Sequence, residues 1–307
     1  MADNNIRLDE FLRLKIPESL GKEISNSKIR RLIVAGAVDV NKSQCRIPGF
    51  NLRRGARVKI RLDEDKLFFE KQPDDIAFEV TEKNVLFEDE NIIVINKPSH
   101  FPSEAGMVGS RDNLHAAVIR YLHSKNTSLR NPPYVGVIHR LDRDTSGVIL
   151  FTKSRSVNAA CHDMFEQHTA RKIYHALVCG DSKNKKLQEN DFTVEMFMGR
   201  ISGKSQAAKW GSLPESKGGL YSKTDFTVLK EIELEGKKYF LIEARLYTGR
   251  THQIRVHLSS MGLPILGDQL YGGKAYNRIM LHACSLTFPH PITGKEMTVS
   301  CPFTEVE

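Results

Sequence analysis

Three short stretches of the 307-residue chain hold residues whose types and spacing could do chemistry. In VIHRLDRDTSGVILF, residues 137–151, His139, Arg140, Asp142, Arg143 and Asp144 lie between two apolar runs. Arg140 and Asp142 are two apart, so in an extended segment both side chains point the same way. Two carboxylates with neighbouring histidines could serve a metal-dependent hydrolysis; equally, the charges could be the solvated tip of a hairpin. In ARKIYHALVCG, residues 170–180, Tyr174 lies in an apolar run. It is either core or a flat platform for a nucleobase, since every base presents a π-face. In LYTGRTHQIRVHLSSMGLPILGD, residues 246–268, His252 and Arg255 are three apart and share one edge of a helix. Arg255 is one position from the apolar face. A cation so near a core either snorkels to water or needs a carboxylate or an anionic ligand.

These residues need elements to hold them. Residues 134–138 and 148–151 are rich in β-branched and aromatic types and read as buried strands, with a turn cluster at 144–147. An amphipathic helix ending near His168 precedes a strand through Ile173, Leu177 and Val178. A further strand, KYFLIEARL, is broken by Gly249. Thr251 could cap the helix that carries Ile254, Leu258 and Met261 inward, and Gly262 with Pro264 would end it. Residues 181–190 and 202–223 are polar and read as loops. Trp210, in the second, is either a packing anchor or a stacking surface.

Composition narrows the class. The N-terminus, Met1 to Arg7, is polar and the chain has no long apolar run, which argues against a signal peptide or a membrane span. The five cysteines are scattered without a C-x-x-C and suit a reducing cytoplasm. His252 and His257 lack the i, i+4 spacing of a helical zinc site, so no metal is expected. The formal net charge is +8, and residues 1–62 contain 14 basic and 6 acidic side chains, leaving 31 of each sign beyond them. The whole excess sits in the first fifth of the chain. That is the footprint of a polyanion-binding appendage, or else a solvated basic surface.

The first module reads as two helices followed by short strands. Leu8, Phe11, Leu12 and Ile16 have helical spacing. A second helix takes Ser25 or Ser27 as cap, turns Ile29, Leu32 and Ile33 inward and stops at Gly36. Lys28, Arg30 and Arg31 project from it and are the candidate RNA contacts. AVDVN and ARVKIRL read as small strands. This plan, over about residues 5–62, resembles the alpha-L RNA-binding domain first described in a ribosomal small-subunit protein. Residues 63–80, charged and with Pro73, are expected to link it to a domain over 81–307.

HRLDRDTSG, RKIYHALVCG and TGRTHQIRVHLSSMGLPILGD, in this order, resemble the RNA pseudouridine synthases of the RluA type. INKP (95–98) upstream and LHACSLTFPHPITGKE (281–296) downstream support the match, which spans most of 81–303. The sequence departs from the family pattern after NKP, where SHFPSEAG lacks the customary histidine, and in the long 181–223 region. The resemblance implies an α+β fold, a mixed, largely antiparallel sheet with a small N-terminal α+β RNA-binding domain. It implies isomerisation of uridine to its C-glycoside in RNA, with neither metal nor organic cofactor. Asp142 would be the essential carboxylate, attacking the sugar or, in a competing scheme, assisting loss of the base and the 2′-proton. Arg255 would keep Asp142 ionised, Arg140 would help extrude the target nucleotide, and Tyr174 would stack on the flipped uracil. Ribosomal RNA is the favoured partner and transfer RNA a second. Two competing readings are a non-catalytic RNA-binding or ribosome-assembly protein on the same fold, and a metal-dependent hydrolase using Asp142, Asp144 and histidines.

Overall fold

The computed structural model describes residues 6–21, 24–34, 36–61, 74–105, 112–126, 128–203 and 208–306. They form two compact units, 6–61 and 74–306, each with its own core. Residues 63–73, most of the expected linker, lie outside the described residues, as does residue 62. Residues 74–80, the remainder of that linker, belong to the second unit, where Val80 joins the core.

In the first unit, helix α1 (Leu8–Leu20) buries Leu8, Phe11, Leu12 and Ile16, the four residues at helical spacing. Helix α2 (Asn26–Val34) packs Ile29 and Ile33 into the same core. Ser25 caps it, its Oγ accepting the Lys28 N–H at 3.3 Å, and Gly36 at φ 80° turns the chain away. Strands β1 (Ile6–Arg7) and β4 (Asn51–Leu52) pair with each other. β2 (Val38–Val40), β3 (Ser43–Gln44) and β5 (Val58–Ile60) make a three-stranded sheet.

The second unit is built on one 11-stranded sheet. Its strands are β6 (Val85–Glu88), β7 (Ile92–Lys97), β8 (Gly136–Val137), β9 (Ser146–Thr152), β10 (Arg171–Val178), β11 (Asp191–Arg200), β12 (Trp210–Ser212), β13 (Leu220–Leu234), β14 (Lys237–Leu246), β15 (Leu281–Pro289) and β16 (Glu296–Ser300). The order is β12-β11-β13-β14-β10-β15-β9-β7-β6, with β16 beside β15 and β8 beside β9. Every pairing is antiparallel except β15 with β9, which is parallel and joins His282 to Ser146 and Ala283 to Gly147. Helices α3 (Leu114–Lys125), α4 (Asn158–Glu166), the short α5 (Lys185–Gln188) and α6 (Gln253–Ser260) complete the unit. Every residue of β9 is buried, as its unbroken apolar run implies. The contact at Gly147 is close: φ is +110°, and a Cβ there would lie 2.2 Å from the Ala283 carbonyl oxygen. Only glycine fits this junction.

Four local expectations need correction. The strand expected over 134–138 is only Gly136–Val137; it does pair with β9, but the main neighbours of β9 are β7 and β15. The region 202–223 is not all loop, because Trp210 opens β12, opposite Arg200. Residues 185–188 are helical. Thr251 does not cap α6; His252 takes that position at φ 58°.

Candidate active site

The charged segment 138–145 runs from β8 to β9, and it is fastened from behind. Lys97, at the end of β7 and fully buried, donates to the carbonyls of Pro98, Phe101 and Arg143 at 2.9, 2.8 and 2.9 Å. Ser103 Oγ donates to the Leu141 carbonyl at 2.7 Å, and the Leu141 N–H donates back at 3.2 Å. Ser99 Oγ donates to the Asp144 carbonyl, and the Thr145 N–H to that of Asp142. The Arg143 guanidinium bonds Asp75 at 2.7 Å and also Asp74 and Asp144. His139 accepts the Leu150 N–H at 3.0 Å through Nε2, and burial, helped by the charge of Lys172, pushes its pKa down to about 3. A neutral imidazole is what that acceptor role requires. Of the four charges that drew attention in the sequence, Arg143 and Asp144 brace the loop.

Asp142 faces the other way, into a cleft of about 510 Å³ lined also by Arg140, Tyr174 and Arg255. The volume falls in the range of small-molecule sites. Arg255 Nη1 lies 3.7 Å from Asp142 Oδ2, and His252 Nε2 lies 3.8 Å from the same oxygen. The principal partner of Arg255 is a residue that sequence reasoning missed. Asp268 accepts from Nε at 2.7 Å and from Nη2 at 2.8 Å, with side chains 5% and 1% exposed. Burial works against the Arg255 charge, but the hydrogen bonds and field of Asp268, reinforced by Asp142, more than offset it, and its pKa is raised. Two faces of one guanidinium thus serve two carboxylates. Asp268 fixes the plane, and the remaining nitrogen is left toward Asp142.

Tyr271 supports the same group from below. The Arg255 guanidinium carbon lies 5.0 Å from its ring centroid, and its hydroxyl meets His252 Nδ1 at 2.8 Å and accepts the Trp210 N–H at 2.9 Å. Burial lowers the His252 pKa although Asp142 opposes it, so this histidine is neutral beside Asp142 at pH 7.

Tyr174 is 8% exposed and sits in a row of small residues. Directly opposite it on β14 is Ala244, on β15 Ala283, and beyond Ala283 on β9 Gly147. Cross-strand partners share a face, so the Tyr174 ring is flanked by the small side chains of Ala244 and Ala283. Burial raises its pKa and the charge of Asp142 adds to that, so its hydroxyl stays protonated. Arg140, 68% exposed, reaches across to Glu104 Oε1 at 3.1 Å. Asp142, Arg140, Tyr174 and Arg255, drawn from three stretches of sequence, therefore meet in one cleft.

In the first unit Lys28, Arg30 and Arg31 lie on α2. Arg30 donates to Asp9 Oδ2 at 3.2 Å and shares a hollow of about 340 Å³ with Arg7 and Arg13, two cations the sequence reading did not single out. The Arg31 side chain is outside what is described. A possible metal-ligating set, Asp74, His100 and Asp144, excludes Asp142, and the Arg143 guanidinium already bonds both of its carboxylates. Among the described residues no helix is long and apolar enough to cross a membrane.

A model of the RNA pseudouridylate synthase family matches residues 91–260, and a model of the S4 domain matches residues 6–58. An uncharacterized RNA pseudouridine synthase of Bacillus subtilis is 35% identical over 82% of this chain and 77% of its own length. The ribosomal large subunit pseudouridine synthase C of Vibrio vulnificus is 30% identical over 97% of this chain and 90% of its own. The solved structure of human RNA pseudouridylate synthase domain containing 1 shares the fold, with a TM-score of 0.56 at 23% identity, covering 73% of this chain and 86% of that one. The chain thus belongs to the RNA pseudouridylate synthase family: an α+β isomerase that converts uridine to pseudouridine in RNA, behind an N-terminal S4 RNA-binding domain.

Proposed function

We propose that Asp142 is the nucleophilic carboxylate of this isomerase, that Arg255 holds it ionised, and that Arg140 and Tyr174 receive the flipped uridine. The observation that carries the proposal is the divided guanidinium. Arg255 is locked by Asp268 at 2.7 and 2.8 Å and still has a nitrogen 3.7 Å from Asp142. A carboxylate suits this reaction because the sugar carbon becomes electron-deficient as the glycosidic bond breaks. Asp142 is partly buried, and a fixed positive charge favours its ionised form. Arg140, exposed at the mouth and two residues before Asp142, is placed to fill the gap left by an extruded nucleotide. Tyr174, with small residues on either side, is placed to stack on the uracil.

For the substrate we propose large-subunit ribosomal RNA, on the strength of relatives named for it at about 30% identity along nearly the whole chain. The module over 1–62, with Lys28, Arg30 and Arg31 as RNA contacts, would grip the RNA, and the domain from residue 81 onward would modify it. Mapping pseudouridines in RNA from cells with and without the gene tests the target: a site lost from that RNA is expected, and loss only from transfer RNA would overturn the assignment. Asp142→Asn, assayed on the mapped RNA, should keep RNA binding and form no pseudouridine. Substantial turnover by that variant would remove Asp142 from its role.

A further inference from the structure

The buried cations of the catalytic unit are answered within the chain, with one exception among the described residues. Asp268 answers Arg255, Asp75 answers Arg143, Glu305 answers Arg278, Glu88 answers Lys153, and three carbonyls answer Lys97. Lys172, half-buried and lining the catalytic cleft, has no ion-pair or hydrogen-bond partner for its ammonium among the described residues. The Phe165 ring on α4 has its centroid 5.2 Å from Nζ. A cation withdrawn from water with no anion in the chain is costly. In an enzyme that cost is recovered when a ligand brings the anion.

The position of Lys172 says which anion. It precedes Tyr174 by two residues on β10, so both side chains leave the same face of the strand, about 6.7 Å apart at their backbones. That is the scale separating a base from its own phosphate. The ammonium lies toward Phe165 and the backbone at Gly249, where a Cβ would be 3.5 Å from Nζ. Asp142 raises the pKa of Tyr174, whereas only burial acts on that of Lys172, which it lowers. Lys172 thus stands beside the base platform in the same cleft.

We propose that Lys172 is the phosphate anchor for the target nucleotide, binding a phosphodiester that flanks the uridine while Tyr174 receives the base. This rests on the reading of the cleft as the uridine site. It makes Lys172 a substrate-binding residue whose effect is electrostatic and tied to one linkage of the RNA.

The test pairs the protein with chemically altered RNA. Full-length wild type, Lys172→Met and Lys172→Arg are assayed in single turnovers on an RNA bearing the mapped uridine. The linkage on each side of that uridine is either natural or an uncharged methylphosphonate. Removing one charge-assisted hydrogen bond corresponds to about a 10- to 100-fold loss in kcat/KM. Wild type should lose that much when one of the two linkages is neutral. Lys172→Met should lose as much on natural RNA and nothing further from that neutral linkage, and Lys172→Arg should recover most of the rate. Losses that multiply would overturn the phosphate assignment. So would a Lys172→Met defect confined to the rate at saturating RNA and equal for every linkage, which would instead place the charge on the departing base. Wild-type turnover on natural RNA reports separately on the uridine-site reading.

Discussion

Asp142 and Asp268 both lie within 4 Å of Arg255, yet their removal should differ widely in its cost to stability. Asp268→Asn preserves shape but leaves a guanidinium that is 5% exposed without its charged partner. Breaking a buried pair on one side costs about 3–5 kcal/mol. The amide still offers one acceptor and Asp142 still contributes its field, so the lower end, about 3 kcal/mol, is expected. For a unit of this size 1 kcal/mol corresponds to about 2–4 °C, so the melting temperature should fall by about 6–12 °C. Asp142, 22% exposed and without a hydrogen bond to Arg255, should cost about 1 kcal/mol or less as Asn. The chain has one tryptophan, Trp210, and it lies in the second unit. Melting followed by its fluorescence therefore reports on the catalytic unit without interference from the S4 domain. Asp268→Asn should melt well below wild type while Asp142→Asn stays within about 4 °C of it. Equal shifts for the two variants would refute the division of labour assigned to the guanidinium.

Tyr174→Phe should bind substrate RNA nearly as wild type does, and Tyr174→Ala more weakly by about 1–3 kcal/mol; equal affinities would make Tyr174 a bystander. Replacing Lys28, Arg30 and Arg31 together by Gln should lower the slope of log affinity against log salt by about 0.7–0.9 for each phosphate no longer neutralised, with single turnovers at saturating RNA little changed. An unchanged slope would mean that this face is merely solvated. Burial lowers the Lys97 pKa to about 7, against the fields of Asp144 and Asp142 and with those of Arg143 and Arg278. Because the unfolded chain then holds the proton more tightly than the folded one, this group's contribution to stability rises with pH from about 7 to the ordinary lysine range near 10.4. The gap in melting temperature between wild type and Lys97→Met should widen over that interval, and a constant gap would argue that Lys97 stays charged. Chelating divalent metals should leave turnover of pre-folded RNA intact, and activity restored only by a specific metal would contradict this.

Periodicity carried part of this structure into view. The inward residues of α1 and the apolar face of α6 follow from spacing along a single element, because a helix brings i, i+3 and i+4 together whatever surrounds it. Asp142, Tyr174 and Arg255 are singled out by the resemblance of three motif stretches to a known family, not by periodicity. Asp268 escaped because it sits in a turn with no repeating pattern, and a carboxylate there looks like any solvated one until the fold buries it to 1% exposure. Lys97 escaped for the converse reason: a lysine at the end of an apolar strand reads as the point where the strand meets water, yet three backbone carbonyls converge on it. Trp210 reads as loop in the sequence because β12 is three residues long and flanked by polar residues, and its pairing with β11 is visible only in three dimensions.

The single parallel junction orders events in time. Ser146 and His282 are 136 residues apart in the chain yet neighbours in the sheet. During synthesis β6 to β9 emerge before β15, and the side of β9 that β15 will cover stays open until residue 281 has left the ribosome. The cleft straddles that seam, with Asp142 just before β9 and Tyr174 on β10, the far neighbour of β15. A nascent fragment ending between β9 and β15 lacks the strand that joins β9 to β10 and presents an uncovered apolar strand edge, the kind of surface that chaperones and aggregates both recognise. The two halves of the catalytic cleft are therefore joined only once β15 has been made.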